Sequence, residues 1–443
     1  MKQNERDRLS RETEHKHWIL RFILGCKTIM EDWKKVVALA VYIFAAVVLW
    51  HMGKGFITLP ESELISPAFY AILPMIVPVC CVGGLFLVII IFGTPFGSGA
   101  VHSGFRRIGL MNHAGETPTL LTTHKDKKNP HITIKEFEAN GIPKSVWEAK
   151  RDLIESALNI HVVKVGEGKD KQRILLYTVP AKTSLPSMVY WEGKYLSDES
   201  FVLVLGESLL GAVTVDLSKV PHILLGGSTG SGKSMLLKLL IMQCVKKDAV
   251  VCIADFKGGV DFSQIWHEKC GIIIDENDLL NALTGLVSEL EKRKDLFRNS
   301  GVPNLGEYNM KVNTDLKRMI FACDEVAEVL DKTGLSKTEK ELVLQIEHKL
   351  SVIARQGRAF GIHLILATQR PDVTILSGQI RNNIDFRVCG RADNVLSQII
   401  LDNASAADQI PKDAQGRFIT GEGTVFQGYL FDESNALRLE RGG

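Results

Sequence analysis

The sequence lacks the features of a disulfide-linked protein, a metal-cluster protein or a strongly basic nucleic-acid binder. Its eight cysteines form no CxxC pair and no Cys/His cluster with the spacing of metal ligands. Cys252, Cys323 and Cys389 fall in apolar runs, which predicts small core residues in a reduced compartment. Lys and Arg total 53 against 51 Asp and Glu, so any basic surface is local. No internal repeat or low-complexity segment is visible.

Two long apolar runs near the N-terminus are the first strong signal. The run over residues 36–52 has about the minimum length for a membrane span, and the run over residues 68–92 is longer and uncharged. A secretory signal peptide is not expected, because a mostly polar segment comes first and no small-residue cleavage site follows. The sequence therefore predicts an N-terminal two-helix transmembrane anchor over residues 36–92. A buried helical pair in a soluble domain is the alternative.

Basic residues around the two runs predict the orientation of this anchor. Several precede the first run, and Arg106 and Arg107 follow the second, whereas the short connector between the runs has Lys54 as its only basic residue. The positive-inside rule then places both termini and the remaining chain in the cytoplasm. We expect a multi-pass protein of the cell membrane, with a cytoplasmic N-terminal segment over residues 1–35.

The rest of the chain divides by pattern into two parts. Residues 93–200 predict a small α+β connector domain, with a helix over residues 144–158 and short alternating strands after it. From residue 201 to residue 443, apolar strands alternate with amphipathic helices. This alternation predicts an α/β fold with a mostly parallel sheet covered on both faces.

One glycine-rich segment matches the phosphate-binding loop pattern in full. It follows an apolar strand and opens a helix, as a P-loop does. Its backbone N–H groups and the helix N-terminus would hold the phosphates of ATP, Lys233 would reach the β- and γ-phosphates, and Ser234 would ligate Mg²⁺. The predicted nucleotide-binding residues are Gly227, Ser228, Thr229, Gly230, Ser231, Gly232, Lys233 and Ser234.

Two further strand ends supply candidate catalytic groups. The apolar run before Asp324 and Glu325 predicts a strand that ends in two carboxylates beside the phosphate loop. Asp324 would hold Mg²⁺ through water, and Glu325 would polarise the attacking water, which predicts a hydrolase. Another strand ends in Thr368, Gln369 and Arg370, before Pro371, and the Gln369 amide would sense the γ-phosphate. A strand end with ordinary turn residues is the alternative for Gln369.

Several segments of this second part resemble the motor domain of the FtsK/SpoIIIE family of DNA translocases. In chain order they are LGESLLGAVTVDLSKVPHILLGGSTGSGKS, ADFKGG, ELEKRKDLF, NLGEYN, the strand ending in DE, RQGRAFGIHLILATQRPD and IRNNIDFRVCGRADN. The resemblance covers about half of the chain. It implies a RecA-like P-loop motor that forms a homo-oligomeric ring, expected to be hexameric, with ATP at subunit interfaces and DNA in the pore.

The resemblance also implies roles for two arginines. By position, Arg358 would be an arginine finger that reaches the nucleotide of a neighbouring subunit, and Arg355 is the alternative. A helix-face arginine in solvent is the other alternative for Arg358. Arg391 lies in a segment that resembles the pore loop, so it is the predicted contact to the DNA backbone, without base readout.

Departures from the family pattern favour one of its branches. Chromosome-segregating members carry about four spans, a long linker and a C-terminal winged-helix domain, whereas this sequence has two apolar runs and reaches Gly443 soon after the motor. We therefore expect a coupling ATPase for conjugation of a mobile element, with a relaxase and secretion-channel proteins as partners. A duplex DNA translocase of division or sporulation and a type VII protein-secretion motor are the alternatives.

Overall fold

In the computed structural model, residues 18–56, 67–127, 129–369 and 377–438 are described. Internal contacts divide the chain into two units, residues 1–183 and residues 184–443. The division falls before the expected connector boundary at residue 200, because the strand Val189–Tyr190 pairs with a strand near the end of the chain rather than with the connector. The basic residues before position 18 and the Arg370–Pro371 pair lie outside the described residues.

The first unit begins with helices and continues as an antiparallel sheet. Its helices are α1 (residues 18–31), α2 (Trp33–Phe56), α3 (Pro67–Phe92), α4 (Ser98–Arg107), α5 (Lys144–Ala149) and α6 (Arg151–Leu158). Its strands are β1 (Thr119–Lys125), β2 (Thr133–Glu138), β3 (Ile160–Glu167) and β4 (Arg173–Pro180), in the order β1-β2-β4-β3. The single helix predicted over residues 144–158 is thus two helices that meet at Lys150, whose ammonium group donates to the carbonyls of Ile108 and Gly109.

Phe105, Phe137 and Trp147 form the centre of the core of this sheet domain. All three are fully buried, and their ring centroids lie 5.2–5.5 Å apart. Large apolar side chains on α2 and α3 are instead exposed. Within the described residues, the part of α2 over Trp33–His51 is long and apolar enough to cross a membrane, and the part of α3 over Pro78–Phe92 is a shorter apolar stretch. The hydroxyl of Tyr42 on α2 donates to the carbonyl of Cys81 on α3, so the two helices form a packed pair.

The second unit is an α/β domain built on one large sheet. Its strands are β5 (Val189–Tyr190), β6 (Val202–Ser208), β7 (Gly211–Asp216), β8 (Ile223–Gly226), β9 (Val250–Ala254), β10 (Gly271–Ile273), β11 (Met319–Cys323), β12 (Ile362–Thr368), β13 (Phe386–Cys389), β14 (Arg417–Thr420) and β15 (Val425–Leu430). The sheet order is β10-β9-β11-β12-β8-β13-β14-β15-β6-β7, with β5 beside β15. The six strands from β10 to β13 are parallel, as the sequence predicts, and the rest of this path is antiparallel.

Helices cover both faces of this sheet, so its central strands are buried from end to end. The helices of this unit are α7 (Lys233–Lys246), α8 (Gln264–Lys269), α9 (Glu276–Ser300), α10 (Leu305–Val312), α11 (Val326–Leu330), α12 (Lys337–Phe360), α13 (Gly378–Arg381), α14 (Asn394–Leu401), α15 (Ser405–Gln409) and α16 (Glu433–Arg438). One core contains α7, and the other contains α9 and α12. The two longest helices of this unit are capped at their N-termini: Asp275 caps α9, and Ser336 and Glu339 form a capping box on α12.

Candidate functional site

The phosphate loop lies where β8 turns into α7. Gly230 and Gly232 have φ angles of 76° and 95°, a left-handed conformation that favours glycine. A β-carbon at Gly232 would also lie 3.1 Å from the backbone of Gly416. The hydroxyl of Ser231 is buried and has no hydrogen-bond partner within the described residues. A tight loop with a spare buried donor at the start of a 14-residue helix suits an anionic phosphate.

Lys233 and Asp324 form a buried ion pair at the centre of the site. The ammonium nitrogen of Lys233 donates to the backbone carbonyl of Asp324 at 2.6 Å and to its carboxylate at 2.9 Å. Burial alone would raise the pKa of Asp324, but the charge and hydrogen bond of Lys233 outweigh it, with help from Lys257 and Ser234, and hold that pKa below its ordinary value. Asp324 is therefore ionised at neutral pH.

Ser234 lies beside the same carboxylate. Its hydroxyl donates to both carboxylate oxygens of Asp324 at 3.1 Å. A serine hydroxyl next to an ionised carboxylate is the hard oxygen set that Mg²⁺ prefers. The residues predicted to hold Mg²⁺, Ser234 and Asp324, thus lie together in the structure.

The strand order explains how Glu325 is held. β12 lies between β8, which leads to the phosphate loop, and β11, which leads to Asp324 and Glu325. The hydroxyl of Thr368 at the end of β12 donates to the carboxylate of Glu325 at 2.7 Å, and the backbone N–H of Gln369 donates to it at 3.0 Å. Glu325 is buried, and its carboxylate lies 4.0 Å from the ammonium group of Lys233.

Gln369 also contacts the phosphate loop. Its side-chain carbonyl accepts a hydrogen bond from the hydroxyl of Thr229 at 3.0 Å. One residue thus touches both the loop and the carboxylate predicted to polarise water. This is the position that a γ-phosphate sensor needs, and the sensing role itself stays a prediction.

Arg391 lies against the phosphate loop, and its guanidinium group is occupied there. It donates to the carbonyls of Thr229 and Lys412 and to the hydroxyl of Ser228, at 2.5, 2.8 and 3.3 Å. Its own carbonyl accepts from the backbone and hydroxyl of Ser228. A DNA contact by Arg391 would require breaking the side-chain bonds. The arrangement instead fits a residue that positions the loop, and the predicted DNA contact stays a prediction.

Arg358 is exposed and lies at the opposite edge of the sheet from Lys233. It is near the end of α12, just before β12 starts at Ile362, whereas the nucleotide-site residues follow the carboxyl ends of the strands. The seven residues of β12 separate the two edges by roughly 20 Å. Arg358 therefore cannot reach the phosphate loop of its own chain.

Two contacts in the site were not predicted. Thr368 was recognised only as part of a strand end, and its link to Glu325 depends on the order of strands. Lys257, in the segment ADFKGG, places its ammonium nitrogen 2.8 Å from Asp261 and 3.3 Å from Asp324. The hydrogen bond to Asp261 is the main cause that raises the pKa of Lys257, so it is a second cation beside Lys233. Lys257 belongs to the family-like segment ADFKGG, but the sequence pattern predicts no role for this lysine.

The fold and this site together define a P-loop ATPase. A model of the FtsK/SpoIIIE family matches residues 191–373. The solved structure of the pCW3 conjugation coupling protein TcpA, in its monomer form with ATPgS, is 34% identical in sequence, with a TM-score of 0.57. That similarity covers 76% of this chain and 96% of the TcpA chain. The chain belongs to the FtsK/SpoIIIE family, as its sequence motifs indicate.

Curated relatives match part of this chain but are much longer proteins. "DNA translocase FtsK" of Chlorobaculum tepidum is 32% identical over 226 residues, which are 47% of this chain. The protein of the same name from Pseudomonas syringae pv. tomato is 31% identical over 316 residues, which are 62% of this chain. The chain spans 27% and 38% of the length of these two relatives.

Proposed function

We propose that this chain is a membrane-anchored motor that uses ATP hydrolysis to move DNA, and that it acts as the coupling protein in conjugation of a mobile element. The observation that carries the hydrolytic part is the contact of Lys233 with Asp324 beside a Glu325 held by Thr368. The similarity to a conjugation coupling protein, over 96% of that protein's chain, supports the conjugative part. A relaxase and secretion-channel proteins are the partners that this role requires.

In the proposed reaction, the phosphates of ATP lie in the loop and Lys233 exchanges its bond to Asp324 for the β- and γ-phosphates. Ser234 directly and Asp324 through water would hold Mg²⁺, which when bound neutralises charge on the phosphate oxygens. Glu325 orients and polarises the attacking water while the hydroxyl of Thr368 holds its carboxylate in place. Gln369 touches both the loop and Glu325, so loss of the γ-phosphate can alter both contacts.

A cavity next to the phosphate loop offers a place for the rest of the nucleotide. It has a volume of about 550 Å³, and its lining includes Gly232, Met235, Phe418 and Tyr429. Pockets of this size with mainly apolar walls are typical of small-molecule sites. We propose that the base and ribose of ATP lie here, while the phosphates extend into the loop.

DNA dependence of hydrolysis tests the proposed substrate. The full chain, purified in detergent, is expected to hydrolyse ATP faster with DNA than without it. Steady-state phosphate release is measured with no DNA, with single-stranded DNA and with duplex DNA of the same length. Stimulation mainly by single strands supports conjugative transfer. Stimulation mainly by duplex supports the alternative of a duplex translocase, which the similarity to "DNA translocase FtsK" proteins favours. No stimulation by either would contradict DNA translocation and favour a secretion motor.

We propose that Arg358 completes the nucleotide site of a neighbouring subunit in a ring. Because it is exposed and lies across the sheet from its own loop, it can act only on another chain. An arginine finger is worth roughly 10³-fold or more in kcat, so Arg358→Ala alone should lose that factor. Mixed with Lys233→Ala subunits it should regain hydrolysis, because each Lys233→Ala subunit still supplies Arg358 to an intact site.

The mixing experiment has a matched control on the same helix. Arg355 is also exposed, and its Nε donates to the carbonyl of Ser351 in its own helix. Arg355→Ala is expected to keep most of its activity without mixing. If no ratio of Arg358→Ala to Lys233→Ala subunits gave more hydrolysis than the two proteins alone, action between subunits would be refuted.

We further propose that α2 and α3 anchor the chain in the cell membrane with the motor in the cytoplasm. The exposed apolar side chains of the two helices and their mutual contact at Tyr42 support this arrangement. The two-span, multi-pass topology rests on the length of the run over residues 68–92 and on the distribution of basic residues around both runs.

A further inference from the structure

The first unit contains a cavity that the proposed motor does not use. Its volume is about 510 Å³. The walls come from α1, α4 and the segment before β1, and they include Arg21, His102, Arg106 and Thr117. His102 and Arg106 are one helical turn apart on α4 and so share a face. The cavity therefore collects cationic and hydroxyl side chains from three separate parts of the unit.

Arg21 is the unusual residue in this wall. Its side chain is buried, with the residue only 3% exposed, and its Nη1 donates to the carbonyl of Gly93 at 3.2 Å. Its Nε–H group and the hydroxyl of Thr117 are both buried without a hydrogen-bond partner in the described part of the chain. A buried guanidinium with a spare donor is costly unless an acceptor, best an anion, completes its hydrogen bonds.

The charges of the wall favour a single anion. Among the described residues that line the cavity, Arg21 and Arg106 are the two permanent cations. One carboxylate, that of Glu116, also lines the cavity and accepts a hydrogen bond from the amide of Asn112 at 2.8 Å. The permanent charges of these described residues therefore balance to one net positive charge. A phosphodiester carries one negative charge and offers the oxygens that guanidinium groups bind best.

The cavity is also located at the end of an apolar helix. The bond from Arg21 to Gly93 joins it to the residue after α3. The backbones of α1 and α3 touch there, since a β-carbon on Gly25 would lie 1.9 Å from the carbonyl oxygen of Ile89. On α1, the side chains of Trp18, Ile19 and Ile23 are 55%, 60% and 58% exposed. Exposed apolar side chains with a tryptophan, next to the end of a membrane helix, are typical of the lipid–water interface.

We propose that this cavity binds the phosphate group of an anionic phospholipid from the cytoplasmic leaflet. Arg21 and Arg106 hold the phosphodiester, the Thr117 hydroxyl donates to it, and the acyl chains run along the exposed apolar side of α1. The inner leaflet is the one that offers anionic lipids to a cytoplasmic basic site. A zwitterionic lipid brings an ammonium group as well, which the two arginines disfavour. The inference rests on the proposed membrane anchoring.

Native mass spectrometry of the full chain in detergent tests the lipid site directly. The probes are short-chain phosphatidylglycerol, phosphatidylcholine of the same chain length, and inorganic phosphate. Phosphatidylglycerol is expected to bind at least about tenfold more tightly than phosphatidylcholine, because Arg21 and Arg106 repel the ammonium group that phosphatidylcholine carries beside the same phosphodiester. Arg106→Gln should lower the affinity for phosphatidylglycerol by about tenfold. Arg106 is exposed, so this variant should fold even if Arg21→Gln does not.

Arg107→Gln is the matched control, because it removes the same charge from the next residue of α4, which does not line the cavity. It is expected to bind phosphatidylglycerol as the unchanged protein does. The proposed lipid site would be wrong if Arg106→Gln and Arg107→Gln lost the same affinity for phosphatidylglycerol. It would also be wrong if the unchanged protein bound the two lipids equally tightly. If inorganic phosphate bound as tightly as phosphatidylglycerol in an Arg106-dependent way, the site would be a phosphate site and the lipid would be excluded. Partitioning of the unchanged chain into vesicles, measured in parallel, tests the anchoring by itself.

Discussion

Lys233→Ala is expected to raise the Kd for ATP by at least about a hundredfold and to abolish hydrolysis. The ammonium group of Lys233 is buried and directed at the centre of the site, where it contacts Asp324. Removing one partner of a buried charge pair costs about 2–5 kcal/mol, and in the nucleotide complex the group left without its cation is a phosphate. Calorimetric titration with a non-hydrolysable ATP analogue measures the change, and phosphate release measures the loss of turnover.

Lys238→Ala is the matched control for this prediction. Lys238 is on the same helix, but its ammonium group contacts Glu433 at 2.6 Å and stacks over the ring of Phe262, away from Asp324. The Lys238→Ala protein should retain its affinity for ATP. Lys233→Met, which keeps the length and loses the charge, should behave as Lys233→Ala does. Tight ATP binding by either Lys233 variant would contradict the assignment of the phosphate loop.

The features that a local pattern determines could be predicted from the sequence. The phosphate loop needs glycines at left-handed positions followed by a helix. The eight consecutive residues 227–234 meet both requirements, so the loop is visible in the sequence. The parallel strands β8, β9, β10 and β11 are likewise continuous apolar runs, because strands covered on both faces tolerate no polar alternation. The strand ends at Asp324 and Gln369 could be placed at one edge of the sheet for the same reason, since parallel strands end together.

The features that depend on strand order could not be predicted. Thr368 reaches Glu325 only because β12 inserts between β8 and β11, and nothing within either segment encodes that neighbour. Arg391 follows β13, which pairs with β8, so its side chain meets the phosphate loop although more than 150 residues separate them along the chain. The pairing of β5 with β15 makes residues 184–200 part of the second unit by the same kind of long-range contact.

Glu325→Gln is the second change expected to have a very large effect, and it should separate binding from hydrolysis. The amide keeps the size of the carboxylate, so the site should still bind ATP, but it cannot accept a proton from the attacking water. General-base catalysis contributes roughly 10²- to 10⁴-fold, which is the expected fall in kcat. Phosphate release in a single turnover measures the chemical step, and titration with the ATP analogue measures binding.

Thr368→Val distinguishes the carboxylate itself from the contact that holds it. Valine has nearly the shape of threonine but cannot donate to Glu325, and the backbone N–H of Gln369 still can. A lost neutral-to-charged hydrogen bond of about 1.5–3 kcal/mol changes how Glu325 is positioned without removing the base. Thr368→Val should therefore remain an active ATPase, whereas Glu325→Gln should not. If Glu325→Gln turned over ATP at the normal rate, another group would have to polarise the water, and the role of Glu325 would be limited to its structural contacts with Thr368 and Gln369.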